Sequence, residues 1–181
     1  MIEYEGKDIR NVIESALLLT NEIDRMGNSS DGSLAMDYDP EEAKRGLSVY
    51  SSIAPIQWKG RKINFIDTPG YLDYEGDMVS GASVADLALI FVSGKEGQQS
   101  GTEKAANLAI KLGIPICFLI NNADEGIKFE EIAKSLTDVY GRGAVPFLIP
   151  EMDGNKMIGV RNTIYEENDP YYNEIMEVVA S

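Results

Sequence analysis

Two short clusters in this chain carry residue types suited to phosphate and nucleobase chemistry. The first is Asp67-Thr68-Pro69-Gly70, directly after the strand-like run Lys62–Ile66. A carboxylate that ends a strand suits Mg²⁺ ligation, directly or through water. A Pro-Gly pair behind it leaves a loop whose backbone N–H can come close to a phosphate. The second cluster is Asn121-Asn122-Ala123-Asp124, after the apolar run Ile114–Ile120. An amide and a carboxylate three positions apart can hydrogen-bond a base edge, because a carboxylate accepts from ring N–H and amino groups. Each cluster also has a plainer reading. The first reads equally as an Asx-type turn between strand and helix, the second as a polar loop and helix cap. The chain has no histidine, which excludes imidazole acid–base catalysis, and its single cysteine, Cys117, excludes an internal disulfide and a thiolate metal cluster. Cys117 lies within an apolar run and reads as a buried, inert thiol.

The elements that must position these clusters follow from hydrophobic spacing. A polar lead over 1–12 ends in Arg10-Asn11-Val12. Ile13, Ala16, Leu17, Leu19, Ile23 and Met26 then recur at helical spacing, with Gly27 as the stop and Asn28–Ser33 as a loop. Asp39-Pro40-Glu41-Glu42 predicts a helix start, with Asp39 as N-cap and Pro40 in the first turn. Leu47–Trp58 and Lys62–Ile66, joined by Lys59-Gly60, predict a β-hairpin. Tyr71–Val84 reads as partly helical. Ala85–Ser93 and Ile114–Ile120 read as buried strands, and Val145–Ile149 and Met157–Val160 as shorter ones. Thr102–Leu112, Phe129–Tyr140 and Tyr171–Ala180 predict helices. Buried strands alternating with amphipathic helices predict an α/β fold, a mostly parallel sheet with helices on both faces. In such sheets ligands bind at the carboxyl ends of the strands, where both clusters fall.

Size and charge narrow the function further. The chain has 181 residues, one domain's worth, with 44% hydrophobic and 25% charged residues and a net charge of −14. So acidic a surface repels phosphate backbones, so no broad nucleic-acid surface is expected, although a local basic patch is compatible with it. The charged N-terminal segment has no apolar core and predicts no secretory signal. No apolar run approaches the ~20 residues of a membrane span, and the expected location is cytoplasmic.

The ordered motifs resemble those of a known family. Asp67-Thr68-Pro69-Gly70-Tyr71-Leu72-Asp73-Tyr74 resembles the switch II motif of translational GTPases. Asp37-Tyr38-Asp39-Pro40-Glu41-Glu42 through Arg45-Gly46-Leu47-Ser48-Val49 resembles their switch I. Ile23-Asp24-Arg25-Met26-Gly27 and Gly101-Thr102-Glu103-Lys104-Ala105 match as well. The resemblance is to the G domain of bacterial elongation factor G, and particularly to the elongation-factor-G-like subgroup. It spans about residues 7–150 and implies a P-loop-NTPase-like α/β core over 1–150, with 151–181 a shortened C-terminal extension of the same domain that ends before a last, Ser-Ala-type guanine loop. It implies GTP or GDP with Mg²⁺ as cofactors and the ribosome as partner. It implies that Asp67 orders the Mg²⁺ shell, that Ser48 stands at the switch I metal position, and that the Gly70 amide senses the γ-phosphate. Asn121 and Asp124 would hold guanine. Tyr71 stands where elongation factor G has the histidine that orients the attacking water.

One part of that family pattern has no counterpart. The phosphate loop G-x-x-x-x-G-K-[ST] occurs nowhere in the chain. Arg10-Asn11-Val12 resembles the start of the first strand, and Ile13–Leu19 the middle of the helix beyond the loop, so the first strand reads as truncated. Asn122 also replaces the lysine whose stem packs on the base. Charge-assisted bonds contribute ~1.5–3 kcal/mol each, so five lost phosphate contacts amount to about 7–15 kcal/mol before non-additivity. Nanomolar binding totals about 12 kcal/mol, so impaired nucleotide binding is expected. Two functional readings result. One is a GTPase domain that hydrolyses GTP at the ribosome. The other is a degenerate G domain without bound nucleotide, an interaction module or an inactive truncated product. Either Asp8–Val12 fills the gap or the neighbouring strands close over it, and a distorted sheet rescued by swapping or a homodimer is a further expectation.

Overall fold

The computed structural model describes residues 7–27, 33–36, 39–40, 49–70, 75–122, 128–154 and 156–180. The chain divides into two compact units, Met1–Ala88 with Ser100–Ile116, and Leu89–Gln99 with Cys117–Ser181.

In the first unit, helix α1 (Lys7–Leu19) lies against the hairpin of β1 (Ser52–Trp58) and β2 (Arg61–Asp67). The hairpin is antiparallel, with Trp58 opposite Arg61 and Ser52 opposite Asp67. Lys59 (φ 48°) and Gly60 (φ 76°) turn it, both in the left-handed region that a two-residue hairpin turn demands. Alternation along β1 buries Ser52, Ala54 and Ile56 on one face. Ala54 and Ile56 meet Ile13, Leu17 and Met36 in a core edged by Ile9, Ile23 and Phe65. Helices α2 (Glu75–Ala82) and α3 (Ser100–Leu112) pack on each other, and α3 buries Ala106 and Ala109.

The second unit is built on β3 (Ala88–Ser93) and β4 (Ile116–Asn121). Ala88 N–H donates to the Pro115 carbonyl and Gly94 N–H to that of Asn121, equal steps along both chains, so the pair is parallel. Helix α4 (Phe129–Tyr140) sets Ile132 and Leu136 against Val92, with Phe118, Ile120, Tyr140 and Ala144 around them. The Phe118 and Tyr140 rings lie 4.8 Å apart. Strands β5 (Leu148–Asp153) and β6 (Lys156–Asn162) form an antiparallel hairpin, and α5 (Pro170–Ala180) follows a short 3₁₀ turn over Thr163–Tyr165. Asp169 links them: Oδ1 accepts from Tyr171 N–H, and Oδ2 lies 2.6 Å from Arg161 Nη1.

The α/β class read from the sequence is the one observed, and Phe129–Tyr140 is helical over the predicted span. Two features differ. The described strands form three two-stranded sheets, of which only β3–β4 is parallel, so hydrogen bonding joins β2 to β1 alone and β3 to β4 alone. Arg10-Asn11-Val12, read as a strand start, lies inside α1. With no glycine-rich loop between them, these residues run straight into a helix-forming sequence. As a helix they align Arg10, Ile13, Glu14 and Leu17 on one buried face. At the predicted second helix start Pro40 is helical, while 41–48 lie outside the described residues.

The second core predicts a sharp contrast along one helix. Leu136→Ala, at 4% exposure, should cost about 2–4 kcal/mol in a denaturant titration, whereas Val139→Ala, at 61%, should stay within about 0.5 kcal/mol.

Candidate functional site

Asp67 is the last residue of β2, buried at 8% exposure, and Thr68, Pro69 and Gly70 follow it out of the hairpin. Helix α2 comes close to this exit. A Cβ on Gly81 would stand 2.8 Å from Thr68 Cγ2 and 3.4 Å from Ile66 Cγ2, so the missing side chain is what admits the helix. Pro69 is buried and Gly70 exposed.

The Asp67 carboxylate is committed to a partner inside the protein. Arg10 Nε donates to its Oδ2 at 2.9 Å, with side-chain exposures of 2% and 7%. Arg10 Nη1 also donates to the Met36 carbonyl at 3.2 Å. One turn along α1, Glu14 is fully buried and accepts from two backbone amides, Gly27 N–H at 2.8 Å and Ala35 N–H. Arg10 and Glu14, on one helix face, thus hold the end of β2 together with Gly27, Ala35 and Met36. At Gly27 a Cβ would overlap the Ser33 carbonyl, so a glycine is needed where these segments cross. Arg10 and Glu14 were not singled out from the sequence. Their signal was the presence of two charged residues at positions 10 and 14 of a stripe continued by Ile13 and Leu17.

As placed, Asp67 does not fit a divalent cation. A metal at this carboxylate would have to displace a buried guanidinium or sit beside its permanent positive charge. Of the other expected site residues in this half, Ser48 and Tyr71 lie outside the described residues, as do most of the predicted switch I residues.

The guanine-type motif begins in the second unit. Asn121 ends β4 half-buried, its carbonyl held by Gly94 N–H at 3.0 Å. Asn122 follows with φ 57°, a left-handed turn that asparagine tolerates well. Asp124 lies outside the described residues. Glu130, in the first turn of α4, accepts from the Tyr171 hydroxyl at 2.9 Å and so ties α4 to the start of α5. Burial, then the bond to Glu130 and the charges of Glu130, Glu174 and Asp169, push the Tyr171 hydroxyl up to about 12. Burial pushes the Cys117 thiol up as well, in keeping with an inert side chain.

A strand-ending Asp-Thr-Pro-Gly in one unit and a parallel strand ending in Asn-Asn in the other sit in an α/β chain of the P-loop-NTPase-like class. The comparisons specify the class. The profile of the Elongation factor Tu GTP binding domain matches residues 11–179, and the chain belongs to that family. It is 29% identical over 171 residues to an elongation factor G-like protein of Mycobacterium tuberculosis, covering 93% of this chain and 24% of that one. It is 34% identical over 116 residues to an elongation factor G-like protein of Thermotoga maritima, covering 64% and 17%. A crystal structure of a Thermus thermophilus protein superposes with a TM-score of 0.85 at 26% identity, over 98% of this chain and 29% of that one. The chain thus spans no more than about a quarter of the length of these curated relatives.

Tyr171 generates a pH prediction. Its folded pKa lies above the ordinary value of 10.0, so the stability it contributes is complete below pH 10 and is lost as pH rises towards about 12. Tyrosinate absorbance should show a late-ionising component that is reduced in Tyr171→Phe, and the variant should lose less stability than the parent over that window.

Proposed function

We propose that this chain is an elongation-factor-G-like G domain that has lost productive nucleotide binding and serves as a contact module of the translation machinery in the cytoplasm. The observation that carries this reading is the continuous helix over Lys7–Leu19. In a nucleotide-binding G domain, a strand, a phosphate-cradling loop and then a helix supply the amides and the lysine that grip the phosphates. Here Arg10–Leu19 is helix throughout, and no G-x-x-x-x-G-K-[ST] occurs anywhere in the chain.

The rest of the family pattern supports descent without supplying the missing grip. Asp67 and Gly70 keep the switch II positions, and Asn121 and Asp124 the guanine positions, on a scaffold of residues 1–150 with 151–181 as its extension. Ser48 and Tyr71 stand at the metal and water-orienting positions, but a phenol in place of imidazole provides no ordinary general base near neutral pH. The competing reading is an active GTPase using GTP and Mg²⁺ at these residues.

Titration of the purified chain with a fluorescent GTP analogue and Mg²⁺, with ATP as control, separates the two. The proposed function predicts no saturation up to about 1 mM, a binding free energy of only ~4 kcal/mol. Saturation in the micromolar range, selective for guanine and abolished by Asp124→Asn, would overturn it.

A further inference from the structure

We infer that Arg10 takes the place of a divalent cation at Asp67, so that the first unit ties the end of β2 to α1 and Met36 with no metal. The inference rests on reading Asp67 as the metal-facing carboxylate of a G domain. The contacts that carry it are those of one helix face. Arg10 Nε donates to Asp67 Oδ2 at 2.9 Å and Nη1 to the Met36 carbonyl at 3.2 Å, with Arg10 itself 1% exposed.

A metal ion at this carboxylate would supply positive charge. Arg10 supplies that charge and also ties the carboxylate to the Met36 carbonyl. Its guanidinium is charged at every accessible pH and donates in several fixed directions, so one side chain reaches a carboxylate from β2 and a carbonyl from residue 36. Glu14 completes the arrangement from the same face by accepting from Gly27 and Ala35 N–H. The positive charge is covalently part of α1 and cannot dissociate, so the segments are held at any metal concentration. The charge balance also resists exchange: a cation arriving at Asp67 would leave the guanidinium buried without its carboxylate.

The test is thermal unfolding of the full chain in Mg²⁺, in Mn²⁺ and in EDTA, with Arg10→Met, Asp67→Asn and the double variant alongside. The expected result is the same Tm for the parent chain in all three conditions. Each single variant should lower Tm by roughly 10 °C, since each strands one buried partner, and the double variant should recover part of that loss. A Tm that rises with Mg²⁺ in the parent chain and not in Asp67→Asn would overturn the inference, as would an Arg10→Met chain as stable as the parent. Should Arg10→Met fail to fold, the metal comparison between the parent and Asp67→Asn still decides. The two readings fail separately. Metal stabilisation through Asp67 without nucleotide binding removes the role given to Arg10 and leaves the proposed function. Micromolar guanine binding with a metal-independent Tm does the reverse.

Discussion

A guanidinium and a carboxylate buried together, Arg10 and Asp67, tie α1 to the end of β2, and the rest of the first unit is arranged around that contact. Burying two charges costs several kcal/mol per ion, offset only when geometry and further hydrogen bonds are good. The unit meets that requirement with short, specific partners: Asp67 and the Met36 carbonyl for Arg10, the Gly27 and Ala35 amides for Glu14. The apolar contribution comes from the same helix face, where Ile13 and Leu17 meet Ala54 and Ile56. Helix α1 therefore acts as both core element and clamp. Removing one charge takes an ion-pair partner from the other, which costs about 3–5 kcal/mol in buried pairs of this kind.

The same contact changes the chemistry of an otherwise familiar motif. On the proposed reading, Asp-Thr-Pro-Gly at the end of a strand offers a carboxylate for a metal and a backbone amide for a phosphate. Here the carboxylate is already neutralised from inside, and the residues ahead of α1's core stripe are helical instead of forming a phosphate cradle. The second unit keeps a different part of the pattern. A parallel pair, β3 and β4, carries Asn121 at its carboxyl end, and α4 follows, braced by the Tyr171–Glu130 bond. This chain thus keeps the motif order of its family, with Arg10–Leu19 as continuous helix.

Much of this was legible in the sequence because periodicity and punctuation are local signals. The hairpin turn at Lys59-Gly60 and the amphipathic α4 both follow from residues within a few positions of one another. The order of the Asp67 and Asn121 motifs pointed to the G-domain family before any geometry. What the sequence did not reveal was non-local. Arg10-Asn11-Val12 resembled a strand start because the family has one there, yet without the loop beyond it the segment joins the helix. Arg10 and Asp67 are 57 positions apart, and nothing near either residue names the other. The one clue was a charged pair on an apolar stripe, which only matters once the helix is known to begin at Lys7.

On the proposed reading, Met36 and the end of β2 are held by α1 and not by a bound nucleotide. Hydrogen exchange of the parent chain, with and without saturating GTP analogue and Mg²⁺, tests it most directly. Strong protection of the amides of Gly27 and Ala35 and of the end of β2 is expected in the free chain, unchanged on adding ligand. Weak protection of those amides in the free chain, rising only when nucleotide and metal are present, would contradict it.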